Sequence, residues 1–243
     1  MHLQQVSSNK NNRTGTKTKI LNNENLELYI SQSLTIILMA LQQYNLDIIS
    51  NELEKLKQRI TPNNFAFKII LPIMSGLGLA VGRGEFSITH EHALSAIVKF
   101  HIGHFLYQQP LKLGKKINSM IICGIEGDYH EFGILISALL ALEAGFKIIY
   151  LGSHMPADSL ADAVNSINPN YVVVGATSIV ENFGRNYLEK YIHKLDLKMN
   201  SLSKIIIGSS LNFTSRHELN HQVIHLRTLR EFNHFVEKKH ILH

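Results

Sequence analysis

Residues 120–133 read MIICGIEGDYHEFG, and the reading of that stretch decides the fold. Met120 to Cys123 form an unbroken apolar run of strand length, which suits a strand buried on both faces. Gly124 and Gly127 then interrupt it, and a helical pattern begins near Glu131. Strand, short glycine-bearing loop and helix are the opening of a parallel α/β unit. Three more apolar runs of strand length follow, Ile148–Leu151, Tyr171–Val174 and Ile205–Ile207, and a fifth strand is expected at Val223–Leu226, with helical patterns from near Pro156, Asn182 and Thr228. Strands that are apolar throughout and separated by helices predict a five-stranded parallel sheet covered on both faces.

Toward the N-terminus the period changes to that of helices. Leu26, Ile30, Leu34, Ile37, Leu38 and Leu41 recur at three and four, which puts them on one helical face. Ile48, Ile49, Leu53, Leu56 and Ile60 do the same over Asp47–Ile60, with Glu52, Glu54, Lys55 and Lys57 for the wet face. Thr61-Pro62 is a helix start, because threonine caps free N–H groups and proline tolerates the first helical position. A third helix should run to about Gly82, and Ser87 can cap a fourth from Ile88 to about Tyr107. Four consecutive helices with short connections read as a bundle. The expected organisation is a disordered tail over 1–22, a helical bundle over 23–109, a Gly, Lys and Pro linker near Pro110–Lys116 and an α/β domain over 116–243.

Composition narrows the function. The chain has 243 residues, 45% of them hydrophobic, enough for two compact units and too apolar for a disordered protein. Cys123 is the single cysteine and sits in an apolar run, so disulfides and cysteine metal clusters are excluded; the chain reads as cytoplasmic. The N-terminus has no apolar h-region, and no uninterrupted apolar run approaches a membrane span, so neither export nor a membrane partner is expected. The formal charge of +5 is nearly accounted for by Lys10, Arg13, Lys17 and Lys19 in the tail. That argues against a DNA-binding face, which needs basic residues clustered on a folded element.

In such a sheet the ligand sits beyond the C-terminal ends of the strands, and the loop after the first strand is the usual contact. That loop carries Asp128 and, two residues on, His130. One ring nitrogen of such a histidine can face a metal while the carboxylate accepts a hydrogen bond from the other, fixing the tautomer and raising ligand basicity. The rival reading makes Asp128 a helix cap. Zinc is disfavoured, since it would want three or four ligands and the other histidines show no partner spacing. A single protein ligand suits a metal already held by a macrocycle.

At this point the sequence resembles a known family. Asp128-x-His130-x-x-Gly133 matches the D-x-H-x-x-G motif of cobalamin (vitamin B12)-binding domains; Thr177-Ser178-Ile179 falls at the family's S-x-L, and Gly208-Ser209 at its double glycine. The resemblance implies a Rossmann-like (flavodoxin-like) domain behind a four-helix bundle. It also implies that His130 replaces the cofactor's own base as lower cobalt ligand and that the displaced nucleotide tail lies in a groove lined by the three segments. Small residues let backbone approach that tail closely, and Ser209 would narrow the groove. From about Gln32 to Glu237 the chain is most similar to the B12 module of MerR-type light-sensing regulators and their antirepressor relatives that lack the DNA-binding part. In those, the counterpart of Glu91-His92 lies on a bundle helix near the upper face of the cofactor; the alternative for this pair is a solvated or capping role in a helix's first turn.

Two departures shape the expectation. Those regulators carry tryptophan and histidine where this chain has Val81 and Gly82, so the aromatic cap and that photoproduct ligand are not expected. The residues before the first helix are too few for a winged helix. The leading expectation is therefore a non-enzymatic cobalamin sensor or photoreceptor, with no catalytic residue, that takes adenosyl-, methyl- or hydroxocobalamin and acts through a transcription-regulating protein partner or self-association. No direct sequence-specific DNA binding is expected. The alternatives are a corrinoid carrier subunit of a methyltransferase and a haem- or tetrapyrrole-binding variant of the module. His101 and His104 share one side of the fourth helix and read as core or surface residues ahead of ligands; the histidines from His217 onward read as surface.

Overall fold

The computed structural model describes residues 23–107, 118–184 and 186–241. The tail over 1–22 and the linker near Pro110–Lys116 lie outside the described residues. Four helices come first: α1 (Asn23–Gln42), α2 (Leu46–Lys57), α3 (Pro62–Gly82) and α4 (Ile88–Tyr107). The α/β part follows as β1 (Ser119–Ile125), α5 (Phe132–Glu143), β2 (Lys147–Met155), α6 (Ala157–Ile167), β3 (Tyr171–Gly175), α7 (Tyr187–Lys198), β4 (Lys204–Gly208), β5 (Val223–Leu226) and α8 (Leu229–Ile241).

The helix starts follow from local chemistry. Thr61 Oγ1 accepts the N–H of Asn64 at 3.3 Å, with Pro62 at the first helical position. Such a cap contributes about 1 kcal/mol. Ahead of α4 the partner is unusual: the Ser87 N–H donates to His90 Nδ1 at 3.1 Å, and the His90 ring stacks on Tyr44. Within α3, Phe65–Ile70 form a π-helical segment. By length and mean hydropathy, 1.8 over the most apolar window, α3 is long and apolar enough to cross a membrane, which the run-length reading passed over. Its Phe65, Ala66, Ile69, Ile70, Ile73 and Leu77 are buried in the protein core.

The sheet is parallel with order β2-β1-β3-β4-β5. This is the doubly wound order whose direction reverses between β1 and β3, the topological switch point. Strand residues alternate between faces as a period of two requires. Met120 and Ile122 join one core cluster with α5, α8 and the four N-terminal helices, whereas Ile121, Cys123 and Ile125 join a second with α6 and α7. α5 shows why the layers hold together: eight of its twelve residues are buried, because the sheet flanks it on one side and helices on the other. Cys123 is part of the second cluster, and burial pushes its thiol up to about 12, which makes it an inert hydrophobe.

Three local expectations need correction. Glu52 and Lys57, expected on the wet face of α2, have side chains only 9% and 6% exposed. The segment near Asn182 is a 3-10 turn, Ser178–Phe183, and α7 starts only at Tyr187, because Gly184 at φ +112° and Asn186 at φ +62° stop the chain from continuing helically. His221 is no surface residue. It lies ahead of β5, its side chain is 10% exposed, Nδ1 is 2.8 Å from Asp196 Oδ1, and Nε2 is 2.9 Å from the Ser201 carbonyl.

Candidate functional site

The loop after β1 is fixed by one carboxylate. Asp128 is 1% exposed, Oδ1 accepts from both the backbone N–H and Nδ1 of His130 at 2.9 Å, and Oδ2 accepts the Thr177 N–H at 2.6 Å. Asp128 thus closes an Asx turn inside its own loop and ties the end of β1 to the end of β3 across the switch point. It does not cap α5, whose N-cap position is Glu131. Burial works against ionisation of Asp128, but the hydrogen bonds from His130 and Thr177 outweigh it and hold the carboxyl below its ordinary range.

An ionised carboxylate is acceptor-only, so its contact with Nδ1 places the proton of His130 there. That leaves the Nε2 lone pair of a side chain 64% exposed. Thr177 Oγ1 stands 3.3 Å from the same Nδ1. The pair therefore presents one oriented imidazole nitrogen, basic and unencumbered.

Beside it opens a cavity of about 330 Å³ between the ends of β1, β3, β4 and β5 and the N-terminal parts of α5 and α8. Asp128, His130, Gly133, Thr177, Ser178, Gly208 and Ser209 all line it. A Cβ built at Gly133 or Gly208 would meet no atom within 4 Å, so at both points bare backbone borders open space. Ser209 is buried at the cavity wall, and its Oγ accepts the Leu211 N–H at 3.2 Å.

Three sequence-chosen residues lie apart from the cavity lining. Ile179 enters the 3-10 turn, 37% exposed. Glu91 and His92 pair with each other in the first turn of α4, at 2.6 Å, and Glu91 also accepts from Ser95 Oγ at 2.8 Å. His101 is a core residue, buried with Nε2 3.0 Å from Ser50 Oγ.

Sequence reasoning missed the apolar wall of the cavity, Ile134, Val173, Leu226 and Phe232, and also Glu131. Glu131 follows His130 directly, forms an ion pair with Lys99 of α4 at 2.5 Å and accepts from Tyr150 Oη at 2.9 Å. Burial, then that bond, raises the Tyr150 hydroxyl above its ordinary value. A strand-adjacent glutamate and a helix lysine carry no mutual signal in sequence.

In Asp128→Asn the amide can still accept from His130, but its NH₂ would confront the Thr177 N–H, donor against donor. Affinity for a ligand held by His130 should fall about 10- to 100-fold, the usual range for partners that orient a metal ligand. A titration followed by visible absorption measures it, and unchanged affinity would detach the Asp–His pair from binding.

The arrangement defines a class: a doubly wound α/β unit packed against four N-terminal helices, with one oriented histidine at the switch point beside a small-residue groove. No family model matches the chain. The sequence is 26% identical over 136 residues to the HTH-type transcriptional repressor CarH of Myxococcus xanthus, covering 56% of this chain and 44% of that protein. It is 21% identical over 167 residues to dimethylamine corrinoid protein 2 of Methanosarcina mazei, covering 68% and 76% respectively. The chain thus spans less than half the length of the repressor. Among solved structures, the Methanosarcina barkeri monomethylamine corrinoid protein shares the fold, with TM-score 0.59 at 13% identity over 90% of this chain and 100% of that one. Together these relatives and the fold support the B12-binding domain family.

Proposed function

We propose that the protein binds cobalamin, with His130 Nε2 as lower ligand to cobalt and the displaced nucleotide tail in the groove beside it, and that it works as a sensor read by a protein partner or by self-association. The observation that carries the reading is the Asp128–His130–Thr177 network, which leaves a single imidazole nitrogen oriented and free beside a groove edged with bare backbone. Gly133 and Gly208 would let the tail lie against the main chain, with Ile134, Val173, Leu226 and Phe232 as its apolar wall. Among the described residues no three His, Cys, Asp or Glu side chains are grouped to hold a bare ion. When bound, the cofactor supplies a cobalt centre whose upper ligand can be exchanged or removed by light.

The chain's own part in sensing is the Lys99–Glu131 pair. It joins α4 to the residue next to His130, so a shift at the loop is transmitted to the helical cover and the reverse. Differential affinity for two packings of that cover is all a ligand needs to move the equilibrium. Val81 and Gly82, at the positions where the light-sensing regulators carry tryptophan and histidine, are small and would accommodate several upper ligands with modest discrimination.

A corrinoid carrier role is the second reading, favoured by the match to the dimethylamine corrinoid protein over most of that protein's length. The test is reconstitution in turn with adenosyl-, methyl- and hydroxocobalamin and with haem, followed by absorption spectra and size-exclusion chromatography in dark and light. A His-on cobalamin spectrum, and an assembly state or partner affinity that changes with the upper ligand, are expected. Methyl transfer to a methyltransferase partner with an assembly state that ignores the ligand would establish the carrier instead, and tight binding of haem alone would overturn both.

A further inference from the structure

We infer that His154 is a positioning residue for the His130 loop, acting from the neighbouring strand. β2 runs in register with β1 from Ser119↔Lys147 to Ile122↔Tyr150 and then slips twice, so that Cys123 faces Gly152 and Ile125 faces Met155. Each slip adds one residue to β2. Bulges of this kind bend a strand and re-aim its side chains, and they concentrate beside functional sites. Here they coincide with Gly152 at φ +81° and His154 at φ +57°, a left-handed conformation uncommon for a residue with a Cβ.

That conformation lets His154 touch the loop at three consecutive residues. Its backbone N–H donates to the Asp128 carbonyl at 3.0 Å, its Nδ1 accepts the Gly127 N–H at 2.8 Å, and its ring stacks on Tyr129 with centroids 4.6 Å apart and planes 9° from parallel. On the other side Gly127 is closed in by the Phe183 ring, 2.7 Å from where a Cβ would stand. The three clamped residues end immediately before His130, and the middle one is the carboxylate that orients it. His154 is absent from the cavity lining, so its influence runs through the loop rather than through contact with a ligand. Because the donor to Nδ1 is a backbone N–H, this nitrogen must be the unprotonated one, and the role belongs to an acceptor at that position.

The clamp stands on geometry alone; its consequence for cobalt rests on the cobalamin reading above, and the experiment separates the two. His154→Phe keeps a ring for Tyr129 and loses the acceptor. His154→Asn loses the ring but keeps an acceptor at nearly the same place on a side chain that tolerates the left-handed region. In the cofactor-free proteins, NMR reads the exchange rate of the Gly127 amide and, from the ring ¹⁵N shifts, which nitrogen of His130 carries the proton. Hydroxocobalamin titration reads affinity and the His-on spectrum. His154→Phe should speed Gly127 exchange about tenfold, mix the His130 tautomers, and weaken hydroxocobalamin about tenfold, the lower end for groups that orient a ligand. His154→Asn should restore all of these. The proposal is overturned if His154→Phe leaves exchange and tautomer as in the parent, or if His154→Asn behaves no better than His154→Phe. If the parent takes up no hydroxocobalamin while the two cofactor-free readings behave as expected, the clamp stands and the cobalamin reading falls.

Discussion

His130→Ala is expected to remove the His-on spectrum of the hydroxocobalamin-loaded protein completely and to weaken binding by more than the ~100-fold that marks the loss of an orienting partner. No neighbouring side chain is free to substitute for the imidazole. Asp128 has both oxygens committed to His130 and Thr177, Glu131 is held by Lys99 and Tyr150, and Tyr129 is turned onto His154. None of them can take over coordination without breaking a contact that builds the loop. Removing the imidazole also leaves the Asp128 carboxylate buried with fewer donors, so some loop order is lost with the ligand. The fold should survive, because the side chain is mostly exposed and makes no core contact. A variant that binds hydroxocobalamin with parental affinity and an unchanged spectrum would falsify His130 as the lower ligand.

The sheet was legible because burial on both faces leaves the middle of β1, β3 and β4 apolar. Tyr171–Val174 and Ile205–Ile207 could be read as strands without knowing their neighbours, and α4 likewise from Ser87 and the glycines around Arg83. The failure near Asn182 has a physical cause: the pattern beyond Ile179 looks helical, but Gly184 and Asn186 place positive φ angles in its path. The site was half legible. Asp128 and His130 are two residues apart, so their pairing is local chemistry, whereas the bond from Asp128 to Thr177 spans 49 residues and exists only because β1 and β3 are neighbours. His154 was invisible for the same reason and one more, since its reach depends on two bulges that no periodicity encodes. Glu91 and His92 were singled out by resemblance, and in the structure they answer to each other and to Ser95.

The protein contains a second Asp–His pair, and the contrast between the two predicts the largest stability effect. Asp196 is fully buried and accepts from the Asn220 N–H at 2.9 Å, Asn220 Nδ2 at 3.2 Å, the His221 N–H at 2.9 Å and His221 Nδ1 at 2.8 Å. His221 Nε2 is taken as well, by the Ser201 carbonyl. No nitrogen is left over, which makes this pair a fastening between α7 and the entry to β5, where His130 with its free Nε2 is a site. Asp196→Ala strands those donors in the interior, and breaking a buried pair this way costs about 3 to 5 kcal/mol. Against a total of roughly 5 to 15 kcal/mol for a folded domain, that is a large fraction. The urea midpoint should fall sharply with little change in slope. Burial opposes ionisation of Asp196 too, but its hydrogen bonds prevail and hold the carboxyl below the ordinary range. A carboxyl more acidic when folded gives its full stabilisation above the unfolded value of about 4 and loses it as pH falls through the folded one. The parent should therefore lose stability below about pH 4, and Asp196→Ala, having lost this carboxylate already, should show a shallower acid slope. Asp196→Ala with parental stability at neutral pH would mean that the donors around Asp196 find water or new partners once the carboxylate is gone, and the fastening would have to be sought elsewhere.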